Sequence, residues 1–187
     1  EATQLLGTAG GFGHKDLVFS SVGDPRIFSR LPQEKVKPAL ALSLHTTDAE
    51  LRARLLPRAP RLSPRELVEA GEAYARTTGY PIQLQWTLLA GINDSLAEMA
   101  AAADLLQGKY AILNLIPYNP TAALDYQRPT PETIAQLVQH LRQRGVRVAV
   151  RQSAGQDVEG GCGQLRARLL HGSTHLTTAG GRATAHG

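Results

Sequence analysis

The sequence is poor in cysteine, since Cys162 is the single one among 187 residues. One thiol cannot close a disulfide within the chain, and it cannot supply the several thiolates of a zinc or iron–sulfur site. The composition therefore gives no support to an extracellular protein held together by disulfides. We expect a cytoplasmic location.

Long apolar runs are also lacking. None approaches the roughly 20 residues that a helix needs to cross a bilayer, and the N-terminus has neither the basic nor the apolar region of a signal peptide. We therefore expect a soluble protein with no membrane partner. The formal net charge of +4 is only a mild bias toward polyanions.

The length of 187 residues suits one domain with a buried core and is short for two. We place this domain at residues 1–170. Beyond about Leu170 the sequence is a mixture of glycine, alanine, threonine and histidine without periodicity, so 171–187 is expected to be a disordered or non-native tail. The chain begins with Glu1 rather than Met, which favours a piece of a longer protein.

Short strand-like runs alternate with amphipathic helices, a pattern typical of an α/β fold with a parallel sheet and crossover helices. In the third run, apolar residues alternate with Gln83, Gln85 and Thr87 at the period of two expected of a strand. The five predicted strands are 17–20, 39–45, 82–89, 110–116 and 147–152.

The clearest helix start is Ser63-Pro64-Arg65-Glu66, which combines an N-cap, a proline at the first helical position and a capping-box glutamate. Gly79 is expected to end this helix. The remaining helices are predicted at 95–108, opened by Ser95 with Glu98, at 130–145, opened by Thr130, and from Thr47 with Glu50 in a shorter one.

Five strands cannot close an eight-stranded barrel, and right-handed crossovers would leave the first strand as an unpaired edge. We therefore expect strands that precede residue 17 to be missing. In barrels of this kind the chemistry lies at the C-terminal ends of the strands and in the loops that follow them. The polar candidates there are Ser20, Ser21, Ser43, His45, Asn93, Asp94, Asn119 and the loop 152–164.

Ser43 and His45 lie two residues apart at a strand end, hence on the same side, where they can hold a carboxylate, a ribose or an amine. Ser20-Ser21-Val22-Gly23 can bond a small polar ligand, although an ordinary turn with a helix cap is the commoner meaning of such a segment. Asn119 lies in a loop whose flanking prolines fix the backbone and direct the amide, and a purely structural amide is the alternative.

Cys162 is surrounded by glycines. A lone cysteine is most often a small buried hydrophobe, but a thiol in a glycine-rich loop at the catalytic end of a barrel is a candidate nucleophile.

Arginines cluster in two stretches. Solvated helix faces are the usual explanation, and a footprint for RNA phosphates is the functional alternative. The stretches are Arg52, Arg54, Arg58, Arg61 and Arg65, and Arg142, Arg144, Arg147 and Arg151.

Five motifs stand in a characteristic order. They are Ser20-Ser21-Val22-Gly23, Leu42-Ser43-Leu44-His45, Gly91-Ile92-Asn93-Asp94, Asn114-Leu115-Ile116-Pro117-Tyr118-Asn119-Pro120 and Cys162-Gly163-Gln164-Leu165. Taken together they resemble the radical SAM methyltransferases that modify an adenine of 23S rRNA. The order and spacing match from about residue 7 to residue 166.

The resemblance implies a partial (β/α)6 radical SAM barrel that lacks its first strands, this chain being the C-terminal two-thirds of the enzyme. It also implies that S-adenosylmethionine is contacted by Ser20, Ser43, Leu44, His45 and Asn119. Cys162 would carry the methyl group. In that chemistry one S-adenosylmethionine methylates the cysteine, and a second is cleaved at a [4Fe-4S] cluster to the radical that activates the S-methyl group. The implied partners are 23S rRNA, with tRNA as the alternative, and an electron donor for the cluster.

The sequence also departs from the family. The Cys-x3-Cys-x2-Cys cluster motif, the Gly-Glu-Pro segment and a second cysteine would all precede residue 1, so the chain alone is expected to bind no cluster and to be inactive. Ala154 and Gln156 stand where the rRNA enzymes usually have an arginine and an aspartate. Methylation at C2 or C8 of adenine, or of another RNA, therefore stays open.

Two other functions are alternatives. A catalytically dead half-barrel remnant would bind S-adenosylmethionine or RNA, or pair its open edge with another chain. An unrelated barrel enzyme would use Ser43, His45 and Cys162 in acyl transfer, which requires a depressed pKa of the thiol.

Overall fold

The computed structural model describes residues 2–120 and 124–151. Cys162, the loop 152–164 and the predicted tail 171–187 lie outside these residues. The strands are β1 (Val18–Ser21), β2 (Ala39–Ser43), β3 (Ile82–Leu88), β4 (Ala111–Pro117) and β5 (Val148–Val150). The helices are α1 (Ala2–Thr8), α2 (Pro25–Arg30), α3 (Ala49–Leu55), α4 (Pro64–Thr78), α5 (Leu96–Leu106) and α6 (Pro131–Gln143).

All five predicted strands are present within two residues of their predicted bounds. The sequence patterns did not predict α1 and α2. These helices have seven and six residues, too few for a periodic apolar stripe to be recognised, and neither has a buried residue.

The start of α4 follows its sequence signature. The Ser63 hydroxyl accepts a hydrogen bond from the backbone N–H of Glu66, and the Glu66 carboxylate accepts one from the backbone N–H of Ser63. Gly79 ends the helix in the left-handed conformation, with φ of 76°.

The start of α3 differs from the prediction. Its N-cap is Asp48 and not Thr47, because the Asp48 carboxylate accepts a 2.8 Å hydrogen bond from the backbone N–H of Leu51. The backbone N–H of Thr47 is bonded instead to Glu98 of α5, at 2.8 Å. The carboxylate of Glu98 therefore joins α5 to the loop between β2 and α3 and does not close a capping box at its own helix.

The five strands form one parallel sheet in the order β1-β2-β3-β4-β5. The predicted α/β topology is confirmed, and the sheet is open, since β1 and β5 each pair with one neighbour in the described part of the chain. The register places Ser20 beside Ala41 and Ser43 beside Gln85.

The two faces of the sheet differ in polarity. One face carries Leu40, Leu42, Leu84, Trp86 and Leu113, all at most 2% exposed, which pack in the core with residues of α4, α5 and α6. The other face carries the partly exposed Gln83, Gln85 and Thr87 and the buried Asn114. Central strands of a sheet that is covered by helices on both faces are usually apolar on both sides. The polar side chains of β3 and β4 therefore show that this face of the sheet is not packed as an apolar core.

None of the helices in the described residues is both long and apolar enough to cross a membrane.

Gly71 lets α4 approach the sheet closely. A Cβ atom at this position would lie 2.8 Å from Leu42 Cδ1 and 2.9 Å from Ile82 Cδ1, and both leucine and isoleucine are fully buried. Neither neighbour has free space into which to move. The contact fixes α4 against β2, the strand that carries Ser43 at its end.

We predict that Gly71→Val lowers the free energy of unfolding by about 1–3 kcal/mol, because the added side chain overpacks the seam between α4 and the sheet. Urea denaturation measures this. Ala73→Val, at an exposed position of the same helix, is the matched control and should cost less than about 1 kcal/mol. Equal losses in the two variants would contradict the close packing at Gly71.

Candidate functional site

The predicted site residues lie at the carboxyl ends of three strands. Ser20 is the penultimate residue of β1, Ser43 ends β2, and Asn119 follows the end of β4 by two residues. Because the strands are parallel, their carboxyl ends meet at one edge of the sheet, here called the carboxyl edge. Leu44 and His45 lie there as well, whereas Cys162 falls outside the described residues.

The two serines at the end of β1 have different surroundings. The Ser21 hydroxyl accepts hydrogen bonds from the backbone N–H groups of Gly23, at 3.0 Å, and Asp24, at 3.4 Å. The hydroxyl of Ser21 thus stabilises an ordinary turn, which is the commoner interpretation of the Ser20–Gly23 segment. Ser20 is exposed, and its hydroxyl makes no hydrogen bond within the described residues, which leaves it available to a ligand.

Leu44 contributes to the edge through its backbone alone. Its side chain is fully buried in the apolar core, and its backbone N–H donates a 3.0 Å hydrogen bond to the carbonyl of Gln85. Any contact of Leu44 with a ligand must therefore come from its own main-chain carbonyl.

His45 has a left-handed backbone, with φ of 63°, which no other described residue except glycine adopts. This conformation costs about 1–3 kcal/mol for such a residue unless its surroundings hold it. Two hydrogen bonds do so: the backbone N–H of His45 donates to the Gln85 carbonyl at 3.2 Å, and the His45 carbonyl accepts from Asn93 Nδ2 at 2.7 Å.

The imidazole of His45 is held as a neutral donor. The backbone N–H of Thr87 donates to Nδ1 at 2.9 Å, so Nδ1 carries the lone pair and the ring proton resides on Nε2. Nε2 has no hydrogen-bond partner among the described residues. Burial, and secondarily the charge of Arg52, lower the pKa of His45 from 6.5 to about 4. The ring is therefore neutral at physiological pH and presents one N–H.

Arg52 is buried beneath the same edge, at 3% exposure. Its Nη2 donates to the carbonyl of Val22 at 2.8 Å and to that of Ser43 at 2.9 Å, while Nε is buried and has no hydrogen-bond partner among the described residues. Burial lowers the pKa of the guanidinium. Arg52 is thus unavailable to RNA phosphates, and its inclusion in a predicted RNA footprint is wrong.

Asn93 is a structural residue. It is 1% exposed and uses its whole carboxamide: Nδ2 donates to the carbonyls of His45 and Thr87, and Oδ1 accepts from the backbone N–H of Leu89 at 2.7 Å. Asp94 also closes the turn, since its carboxylate accepts from the backbone N–H of Gly91 at 2.8 Å. The carboxamide of Asn93 is thus fully engaged, and one carboxylate oxygen of Asp94 is used in the turn.

Sequence reasoning missed Thr46. Its side chain is fully buried, and its hydroxyl donates to the carboxylate of Glu98 and accepts from the backbone N–H of Asp48 at 3.0 Å. Thr46 and Glu98 therefore fix the loop that follows His45. No sequence pattern distinguishes a glutamate that binds a distant loop from one that caps its own helix.

Sequence reasoning also missed a series of hydrogen-bonded side chains on the polar face of the sheet. Asn114 Nδ2 donates to Gln83 Oε1 at 3.4 Å, and Arg151 Nε donates to Asn114 Oδ1 at 3.3 Å. The alternation in β3 placed Gln83 on a polar face, but nothing in the sequence indicated these partners.

Asn119 leaves the sheet beside two aromatic rings. The backbone N–H of Tyr118 donates to the Leu88 carbonyl at 3.1 Å, and the ring of Tyr118 meets that of Tyr126 edge to face at 5.8 Å. The side chain of Asn119 is partly exposed and makes no hydrogen bond within the described residues. Its amide is therefore held at the edge with its polar atoms available.

The other arginines of the two clusters have different surroundings. Arg54, Arg58 and Arg61 are exposed, whereas Arg144 pairs with Asp104 and Arg147 lies over the ring of Tyr110. Arg144 and Arg147 border a cleft of about 410 Å³ where β4 and β5 begin, opposite the carboxyl edge.

The described residues contain no group of three or more histidine, cysteine, aspartate or glutamate side chains that could hold a metal ion. Since the whole sequence has one cysteine, this chain does not have the thiolates that a [4Fe-4S] cluster needs. The donors at the carboxyl edge are hydroxyl, amide and imidazole groups, which suit the hydroxyls and ring nitrogens of a nucleoside.

No protein-family model matches the chain. It is 66% identical over 174 residues to a probable RNA methyltransferase of Dechloromonas aromatica (strain RCB) and 67% identical over 170 residues to one of Ectopseudomonas mendocina (strain ymp). The matches cover 93% and 91% of this chain but 49% of each relative. The chain thus spans about half the length of these curated relatives.

Solved structures give the same fold. A radical SAM methyltransferase from Sphaerobacter thermophilus aligns with a TM-score of 0.78 and 37% identity, over 83% of this chain and 46% of that one. A domain of pyruvate-formate lyase-activating enzyme from Bacteroides vulgatus ATCC 8482 aligns with a TM-score of 0.60 over 76% of this chain and 83% of that one. At 16% identity the second shows likeness of fold alone. The predicted α/β class is confirmed, and a partial barrel is consistent with it.

We predict that Asn93→Asp lowers the free energy of unfolding at pH 7 by about 2–4 kcal/mol. The change keeps the shape but removes both donors and buries a charge, so the carbonyls of His45 and Thr87 lose a partner. Urea denaturation measures the loss. Asp94→Asn keeps the acceptor for Gly91 and should cost less than about 1 kcal/mol. A tolerant Asn93→Asp variant would contradict the role of this carboxamide.

The lowered pKa of His45 predicts a pH-dependent stability. Between pH 6.5 and about pH 4 the unfolded chain binds a proton that the folded chain does not, so stability falls as the pH is lowered through this range. Above pH 6.5 this contribution is constant. We expect the difference in free energy of unfolding between the wild type and His45→Asn to change from pH 6.5 to 4 and to be flat above pH 7. A difference independent of pH would show that His45 titrates normally.

Proposed function

We propose that this chain is part of a radical SAM methyltransferase that acts on RNA, and that its carboxyl edge holds the adenosyl part of S-adenosylmethionine. One observation carries the proposal. The sheet brings three segments that are far apart in sequence to a single edge, and a polar side-chain group in each of Ser20, Ser43, His45 and Asn119 has no partner within the described residues.

The donor set fits an adenosyl group. The two serine hydroxyls donate and accept, the Asn119 amide does both, and the Nε2 of neutral His45 donates. Ribose hydroxyls and adenine ring nitrogens are the complementary groups. A neutral imidazole also adds no second positive charge beside the sulfonium of the ligand. S-adenosylmethionine, when bound, supplies the methyl group.

The residues of the edge act by orientation. Asn93 and Gln85 fix the backbone of His45, and Thr87 fixes its ring, so the Nε2–H has one direction before any ligand arrives. A donor that is already oriented loses little entropy on binding.

We assign to Cys162 the role of carrying the methyl group as a thioether. The thiolates of the [4Fe-4S] cluster do not come from this chain, so we derive no step at the cluster from its residues. The cluster and its electron donor belong to the proposal only through the resemblance to radical SAM enzymes.

The proposed substrate is an adenine of 23S rRNA, at C2 rather than C8, with tRNA as the alternative. The names of the relatives support an RNA substrate in general terms. Arg54, Arg58 and Arg61 are exposed on this chain and are suited to RNA phosphates, a contact that weakens as salt rises.

A catalytically dead half-barrel that binds S-adenosylmethionine or RNA without turnover is the second candidate. One cysteine cannot ligate a [4Fe-4S] cluster, so this chain by itself is compatible with such a remnant. The enzyme and a remnant that binds S-adenosylmethionine both require the adenosyl site, so these two share the first test below and are separated by the second.

We predict that calorimetry detects binding of S-adenosylmethionine to this chain, and that Ser43→Ala and Asn119→Ala each weaken it about two- to tenfold, the value of one hydrogen bond. Ser29→Ala, an exposed serine of α2, is the matched control and should bind like the wild type. Binding that is absent in the wild type, or equal in all variants, would contradict the site.

The second test concerns Cys162. When the chain is combined with a segment that carries the cluster motif, we expect mass spectrometry to find a methylated Cys162, and Cys162→Ala to show neither methylated cysteine nor methylated adenine. An alanine variant that still methylates adenine would exclude the proposed role. Binding of S-adenosylmethionine without any methylation would favour the dead half-barrel.

A further inference from the structure

Arg52 is a buried cation whose charge has no counterpart. Its side chain is almost inaccessible, and no carboxylate within the described residues forms an ion pair with it. Removing a charge from water without a partner is unfavourable, even when hydrogen bonds to carbonyls compensate part of it. A guanidinium kept in such a place is expected to do something that an apolar side chain cannot.

The geometry shows what this is. A single nitrogen, Nη2, donates to two carbonyls from different segments: that of Val22, just beyond β1, and that of Ser43, the last residue of β2. The first residue pair between β1 and β2 is Val18 with Ala39, and the last is Ser21 with Leu42. Arg52 thus joins the segments that continue β1 and β2 one residue beyond the last pair of these strands, where no ladder pair holds them together.

The loop held by Arg52 has little room to move. A Cβ atom at Gly23 would lie 2.4 Å from Leu67 Cδ1 and 3.9 Å from Arg52 Nη2. Leu67 is fully buried on α4. The segment after β1 is therefore packed against α4 on one side and bonded to Arg52 on the other.

Both segments carry candidate ligand-binding groups. Ser20 lies on β1, two residues before Val22, and His45 lies two residues after Ser43. The spacing between these groups depends on the spacing between the two carbonyls that Arg52 joins. The same guanidinium acts on His45 through its charge, and burial and Arg52 are the two causes of the low pKa of this imidazole. The carboxylate of Glu98 on α5 does not neutralise Arg52, because it accepts hydrogen bonds from the Thr46 hydroxyl and the backbone N–H of Thr47.

We propose that Arg52 is a positioning residue of the adenosyl site: by joining the carbonyls of Val22 and Ser43 it sets the distance between Ser20 on β1 and the Ser43–His45 segment on β2. The inference rests on the proposed function, since it assigns to Arg52 the arrangement of groups that the proposed ligand would contact. Arg52 itself touches no ligand in this proposal.

The shape of the side chain is essential to it. A lysine at this position keeps the charge but ends about one bond length short of Nη2, so its ammonium cannot reach both carbonyls without a shift of the backbone. A methionine fills similar space and removes both the charge and the donors. The two substitutions therefore separate the effect of charge from that of the bridge.

The experiment compares Arg52→Met and Arg52→Lys with Arg30→Met, the same change at an exposed arginine of α2. Three quantities are measured on the full chain: the midpoint of urea unfolding, the dissociation constant for S-adenosylmethionine, and the pKa of His45 from NMR titration. We expect Arg52→Met to weaken binding at least tenfold and to raise the pKa of His45. Arg52→Lys should weaken binding about threefold or more and leave that pKa low, and Arg30→Met should change neither.

The outcomes separate the two proposals. If the wild type does not bind S-adenosylmethionine, the proposed function fails. If the wild type binds and a folded Arg52→Met variant binds equally with an unchanged pKa of His45, Arg52 is merely structural and the inference fails. If Arg52→Met does not fold, Arg52→Lys decides: wild-type affinity overturns the inference, and weaker binding at the low His45 pKa supports it.

Discussion

The left-handed backbone of His45 is the constraint on which the carboxyl edge depends. A histidine does not adopt this conformation without help, and here the help comes from β3 and from the turn that follows it: the carbonyl of Gln85 and the carboxamide of Asn93. The same carboxamide bonds Thr87, whose N–H fixes the imidazole. A single buried amide thus joins the end of β2 to the end of β3 and determines where the ring lies.

Around this point the polar residues divide into two groups. The first group makes its hydrogen bonds within the protein, mostly to backbone groups of the loops, and consists of Asn93, Ser21, Thr46, Glu98 and Arg52. Ser20, Ser43, Asn119 and the Nε2 of His45 have none within the described residues. The bonds of the first group hold the loops in place, so the free polar groups of the second have fixed positions. This arrangement is expected of a preformed binding site.

Local features were predictable because their physical causes are local. The alternation of Gln83, Gln85 and Thr87 with buried neighbours reproduced the two faces of β3, and Ser63 with Glu66 gave the start of α4. The same reasoning was wrong at Thr47, because Asp48 offered a better acceptor and the N–H of Thr47 had a partner on α5. It also assigned Arg52 to the surface, since an arginine in a basic stretch carries no sign of burial.

The sequence by itself determined the order of the five strands and of helices α3 to α6, the parallel sheet, the side of β3 on which polar residues stand, and the edge where the proposed site lies. Only the tertiary structure decided which of those polar residues are engaged. The contacts that decide it join positions 48 apart for Asn93 with His45, 30 apart for Arg52 with Val22, and 52 apart for Glu98 with Thr46. Periodicity and capping act within a few residues, so they cannot register bonds that form only when separate strands and helices have packed together.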